Sequence, residues 1–155
     1  MSRSVRLILP AVALIVAAGC SDNEIFVPRI DSTNFAASLG VDLANSTRLP
    51  SGLYYRDITV GGGLLVPADT VKRVTVAYVG TLRNANEFDS GTITFTTNAT
   101  NIIEGMRTGV WGMRIGGVRQ LIIPPSLGYA ASSVAGIPEH SILVFEVSLL
   151  NVTVP

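Results

Sequence analysis

The chain has 155 residues, 11 basic and 11 acidic side chains, one histidine, one cysteine and a 48% hydrophobic fraction. That length suits one domain with an appendage, and the apolar fraction supports a core. A formal charge of zero with no charge run excludes the basic field that nucleic acid requires, and a lone cysteine excludes an internal disulfide.

Residues 1–20 open with Arg3 and Arg6, continue as the uncharged run Leu7 to Ala18 and end in small residues. This is the layout of a secretory signal, and the apolar run is short for a transmembrane span. The ending Ala17-Ala18-Gly19-Cys20 is similar to the lipobox of bacterial lipoproteins, with Ala17 where leucine is more usual. The similarity implies that residues 1–19 are a signal peptide and that Cys20 becomes the lipidated first residue, anchored in a bacterial membrane. Ser21 after it points to the outer membrane, periplasmic face. An ordinary signal peptide cut near Ala18, leaving a free thiol, is the alternative. Removing residues 1–19 leaves 9 basic residues against 11 acidic, formally −2.

Residues 20–50 read as a lipidated N-terminus and tether carrying a weak helical patch between Asp31 and Gly40. Packing of Phe35, Leu39 and Val41 on the domain is the competing reading. The domain is expected over 51–155. Residues 53–60 form a first strand, broken by Gly61-Gly62-Gly63, which lacks the following Gly-Lys-Ser/Thr of a phosphate cradle. In 71–82, Val74, Val76 and Tyr78 alternate with Thr75 and Ala77, a half-buried strand, and Arg83 to Glu87 is its turn. The chain returns through Phe88-Asp89-Ser90-Gly91 into a strand at 92–97. A helix follows, with Asn101 at the N-cap, Glu104 in its first turn, and Ile103, Met106, Val110 and Met113 at helical spacing. Gly105, Gly109 and Gly112 each weaken it by about 1 kcal/mol, so packing must hold it. Residues 118–123 are a strand, 124–138 a loop and 141–152 the last strand, with Leu143, Phe145, Val147 and Leu149 on one face. Such a chain is α+β: an antiparallel curved sheet of about five to six strands around one short helix.

One histidine, one cysteine and scattered carboxylates supply neither a metal site of usual type nor a nucleophile with its base. His140 reads as a locally bonded turn residue. A reaction that needs no nucleophile suits this inventory. Rotation about an X-Pro bond is one, its barrier of about 18–20 kcal/mol arising from amide resonance. An apolar pocket that holds the proline ring, excludes water and offers a few hydrogen bonds favours the twisted amide over the planar one.

Several islands resemble the FKBP-type peptidyl-prolyl isomerases: Tyr78-Val79-Gly80-Thr81-Leu82, Phe88-Asp89-Ser90, Asn101-Ile102-Ile103-Glu104-Gly105, Pro125 to Tyr129, and Ile137-Pro138 leading to Leu143-Val144-Phe145-Glu146-Val147 and Leu149-Leu150. They lie in order over residues 52–152. The resemblance implies the FKBP-like fold, a rotamase activity on proline-containing polypeptides, no cofactor, no metal and a monomer. It further implies that Tyr78, Phe88, Ile103, Tyr129 and Phe145 wall the proline site, with Ile93, Ile102, Met106 and Ile137 contacting substrate. Asp89 would lie near the twisted amide, and the Ile103 N–H and the Tyr129 hydroxyl would meet substrate carbonyls. There are two departures. Met106 stands where the family has a tryptophan on the pocket floor, Trp111 falling later in the chain, and the segment 90–93 is too short for the family's bulge. Both leave room for a second expectation, a catalytically weak lipoprotein that binds peptides as a chaperone or assembly factor.

Overall fold

The computed structural model describes residues 27–134 and 136–155. The expected signal peptide and the lipidation site at Cys20 lie outside the described residues. Six strands form one antiparallel sheet: β1 (Thr47–Arg48), β2 (Tyr54–Thr59), β3 (Arg73–Leu82), β4 (Glu87–Thr96), β5 (Val118–Ile123) and β6 (Leu143–Thr153), in the spatial order β1-β2-β5-β6-β3-β4. The one α-helix among the described residues, α1 (Glu104–Gly109), packs against β5. This is the α+β arrangement that the strand count and helix patch predict.

The alternation in β3 and β6 makes the front face. Val74 and Val76 are fully buried beside Leu143, Phe145, Val147 and Leu149. At its end, β6 gains one residue against β3: Thr75 pairs with Asn151, but Val76 pairs with Leu149. This bulge leaves Leu150 half exposed and turns Val152 back onto the core, which extends the apolar face past the point where strict alternation would have ended it.

The helix is shorter than its apolar spacing predicts. It begins at Glu104, with Ile103 rather than Asn101 at the N-cap position and no side chain capping it. Met113 lies beyond it, because Gly112 takes a positive φ of 77° and ends the turn. The glycines inside it have a packing purpose. A Cβ at Gly109 would come within 2.6 Å of Leu121, and one at Gly105 would collide with Ile123, so bare helix backbone rests on β5. Intrinsic stability is given up for closeness to the sheet.

At the far end of α1 lies Arg119, a buried cation that the chain's alternation had absorbed unnoticed. Its Nε and Nη2 donate to Asp57 Oδ1 and Oδ2 at 2.6 and 3.0 Å, and its Nη1 donates to the carbonyls of Gly109 and Trp111 at 2.9 and 2.7 Å. The guanidinium also lies over the Tyr55 ring at 4.2 Å. It joins β2, β5 and the end of the helix, and satisfies carbonyls that the helix leaves open.

The back face is covered by the segment before β2. Residues 30–49 are therefore not a free spacer. Ile30 is buried with Ile122, Ile142 and Val144, and Phe35, Leu39, Val41 and Leu43 pack on that cluster. Two single 3-10 turns, Ile30–Ser32 and Ala37–Leu39, replace the expected helical patch. Polar side chains of the sheet fasten this strap: Gln120 donates to the Leu39 carbonyl at 2.7 Å and Arg56 to that of Gly40 at 2.8 Å. The Ala36 N–H reaches the Arg83 carbonyl, in the β3–β4 turn, at 2.8 Å. The folded unit thus starts before residue 51, and the competing reading of Phe35, Leu39 and Val41 describes the structure. No described helix is long and apolar enough to cross a membrane.

Candidate active site

A hollow of about 230 Å³ opens between the sheet and the start of α1, lined by Tyr78, Asp89, Ile93, Asn101, Ile102, Ile103, Met106, Tyr129 and Phe145. Drug-sized ligands usually occupy about 300–1,000 Å³, so this space suits a single small ring. Strands β3 and β6 supply Tyr78 and Phe145, β4 supplies Asp89 and Ile93, the turn before α1 supplies Asn101 to Ile103, and the loop after β5 supplies Tyr129.

Local backbone geometry explains how Phe88 packs against Phe145 while its neighbour Asp89 lines the hollow. Gly80 pairs with Asp89, whereas Thr81 pairs with Glu87, so Phe88 is the extra residue of a β-bulge. Regular pleating would send Phe88 and Asp89 to opposite faces. The bulge turns the Phe88 ring toward Phe145, edge-on at 5.5 Å and 84°. Space for that pair comes from Gly80, where a Cβ would meet Phe145 at 2.7 Å and Phe88 at 2.8 Å. Tyr78 leans on Phe145 at 6.0 Å.

Among the described residues, Asp89 is the only charged one lining the hollow. Its Oδ2 accepts a hydrogen bond from the Tyr78 hydroxyl at 2.7 Å. That bond, with burial and the carboxylate's charge behind it, pushes the Tyr78 hydroxyl up to about 12. Burial, and then the Asp89 charge, also raises Tyr129 above the usual tyrosine value. Among the described residues the Tyr129 hydroxyl and the Ile103 N–H have no protein partner, which leaves two donors open toward the hollow.

Of the sequence-predicted residues, Tyr78, Asp89, Ile93, Ile102, Ile103, Met106, Tyr129 and Phe145 meet in this hollow. Phe88 does not line it. Its bulged position places it behind Phe145 as a support. Ile137 is also absent from the wall, being buried in the main core where residues 134 and 137 bridge to close a tight turn. Met106 is buried at the base and leaves the hollow open. Trp111 stands past the other end of α1, its carbonyl taken by Arg119. Strand β4 runs unbroken through residues 90–93 in register with β3. His140 is a turn residue with φ of 54°, its N–H donating to the Ala130 carbonyl at 2.7 Å. Asn101 was missed as a lining residue. Its place directly before Ile102-Ile103 was the available signal, and its capping chemistry concealed it.

Comparison with known proteins covers the span of chain that builds this hollow. The sequence model of the family described as FKBP-type peptidyl-prolyl cis-trans isomerase matches residues 67–150. The FK506-binding protein of Neisseria meningitidis serogroup B is 40% identical over 107 residues, 65% of this chain and 96% of that protein. The chain belongs to the FKBP-type peptidyl-prolyl cis-trans isomerase family. FK506-binding protein 4 of Mycosarcoma maydis is 38% identical over 69% of this chain, but the match spans only 29% of that longer protein. The crystal structure of FkpA from Escherichia coli superposes with a TM-score of 0.63 at 35% identity, over 70% of this chain and 52% of that one. Within the FKBP frame, the matched span runs from the lead-in to β3 into β6 as far as Leu150 and includes every residue found to line the hollow.

Proposed function

We propose that this chain is a lipid-anchored FKBP-type isomerase that turns X-Pro bonds in polypeptides folding outside the cytoplasm, and that it works as a monomer without cofactor or nucleic acid. The observation that carries the catalytic reading is the hollow itself: apolar and aromatic walls, one carboxylate and two open donors. The proline ring enters between Tyr78, Met106 and Phe145. Burial strips water from the amide, and the Ile103 N–H and Tyr129 hydroxyl each receive a carbonyl of the bound segment. As the amide twists, resonance is lost, its nitrogen becomes pyramidal and its carbonyl carbon gains positive character, so the Asp89 carboxylate at the rim stabilises the twisted state over the planar one. No bond to the enzyme is made, and the Tyr78 proton stays in its hydrogen bond to Asp89.

The anchor at Cys20 rests on the Ala17-Ala18-Gly19-Cys20 pattern, and a periplasmic location at the outer membrane on Ser21 after it. A globomycin-sensitive mass shift at Cys20 tests them, and an unmodified thiol in membrane-grown material ends that part of the proposal.

A specific observation favours a weaker second reading. The base of the hollow is Met106, flexible and polarizable rather than a flat ring, so the bound amide is held less firmly. A peptide-binding chaperone or assembly factor needs the cup without the preorganisation. A protease-coupled isomerisation assay on the fragment from Ser21 onward separates the two. The expected result is catalysed turnover, and a rate no higher than buffer at micromolar protein leaves the chaperone reading.

A further inference from the structure

The wall formed by Asn101, Ile102 and Ile103 has a second side. There it bounds a larger hollow of about 520 Å³, closed opposite by Ser126 and Gly128 and flanked along α1 by Glu104 and Arg107. Successive Cα atoms of a peptide are about 3.8 Å apart. At that spacing, the residues flanking a proline held in the first hollow come within reach of the shared wall.

The two charges beside this second hollow differ in what they offer a substrate. Glu104 is exposed, and an ion pair formed in water there discriminates little. Arg107 is half-buried, with its Nε sealed from solvent and without a hydrogen-bond partner among the described residues. The ion pairs found among those residues are Arg29 with Asp31 and Arg119 with Asp57, so Arg107 is not neutralised by Glu104 three residues away. The terminal guanidinium nitrogens enter no ion pair among the described residues and are not sealed off with Nε, so they are the donors that an incoming anionic acceptor meets. Nothing in the proline pocket requires it.

We infer that this second hollow is a subsite for the residues flanking the proline, and that Arg107 makes it select an aspartate or glutamate side chain within two residues of that proline. The inference rests on the isomerase reading for what the neighbouring pocket binds. Arg107 is a specificity-determining residue and takes no part in the twist of the amide.

The test uses the full-length chain in mild detergent and blocked peptides that differ only in carrying Glu, Ala or Lys, placed two residues before the proline or one after it. Affinity is read by fluorescence titration and turnover by the protease-coupled assay. The Glu peptide should bind roughly five- to tenfold more tightly than the Ala peptide at one of the two positions. Arg107→Gln should bring that ratio to about one, Arg107→Lys should keep part of it, and Glu104→Gln should change it little. A wild-type ratio near one at both positions overturns the inference, as does a ratio that survives Arg107→Gln. If Arg107→Gln melts early, the wild-type chain decides: the Lys peptide should bind more weakly than the Ala peptide at the position where the Glu peptide binds more tightly, and equal or tighter binding of the Lys peptide counts against the subsite. Arg107-dependent preference without turnover leaves the subsite standing and removes the catalytic reading; turnover without preference does the reverse.

Discussion

Two aspartates lie on the helix side of the sheet, near opposite ends of α1, and their surroundings could hardly differ more. Asp57 is gripped by Arg119 through two hydrogen bonds, and the same guanidinium ties down the last carbonyls of the helix. Asp89 has one partner, the Tyr78 hydroxyl, and faces an open hollow. The first arrangement uses a carboxylate to complete a buried cation, leaving nothing for a ligand. The second leaves a carboxylate beside apolar walls with hydrogen-bonding capacity to spare. Both are an acid beside aromatics in the sequence. What separates structure from function is whether a cation closes the site.

The comparison breaks most visibly at Arg119. Arg119→Ala should cost about 3 kcal/mol, since it strands the Gly109 and Trp111 carbonyls and leaves Asp57 unpaired, though the partial exposure of Asp57 tempers the loss. A drop in Tm of roughly 10 °C is expected by calorimetry. A melt within 2 °C of wild type would mean that the cluster is ornamental and the contrast with Asp89 empty. Next in size is Gly80→Ala, which forces a methyl between Phe88 and Phe145. Overpacking costs about 1–3 kcal/mol, and because the shifted ring is a pocket wall, turnover should fall with the melt. Stability lost with turnover intact would show that Phe145 is not positioned through Gly80.

Asp89 and Tyr129 sharpen the comparison from the other side. Asp89→Ala should lower kcat/KM about tenfold, roughly 1.4 kcal/mol of transition-state stabilisation, while the melt moves by no more than about 0.5 kcal/mol. Tyr129→Phe should do the same more weakly, about fivefold for one hydrogen bond. A collapse of either melt would place these residues with Asp57 among the structural groups.

The contrast between the two aspartates also explains what the sequence could and could not disclose. Strands β3 and β6 were legible because period-2 alternation is local, as in Val74, Val76, Leu143 and Phe145. The hollow was legible because its residues come as ordered islands. Hidden features all depended on partners distant in the chain. Arg119 looks like a solvated strand residue until Asp57 and the helix end are brought to it. The strap at 30–43 shows no period because its burial is decided by Ile122, Ile142 and Val144. The start of α1 was misjudged because Gly105 and Gly109 pack by absence of side chain, a contact that composition scores only as a cost. The Phe88 bulge belongs to a pairing register, which no single strand reveals.

The smallest effect expected is a null one, and it tests how Asp89 is held. Tyr78 ordinarily ionises near 10.0, and its bond to Asp89 raises that to about 12. Because the folded value is the higher one, the stabilisation from this bond is complete below pH 10 and is lost as pH rises toward 12. Tyr78 therefore stays protonated throughout the range in which an isomerase is assayed, and it should add no pH dependence to kcat/KM between pH 6 and 9. Absorbance at 295 nm should show a tyrosine titrating well above 10, and Asp89→Asn should shift it back toward 10, since a neutral acceptor no longer penalises the phenolate. If that shift is absent, the Tyr78 hydroxyl does not hold the carboxylate in solution, and Asp89 reaches the amide from a different orientation than the one described.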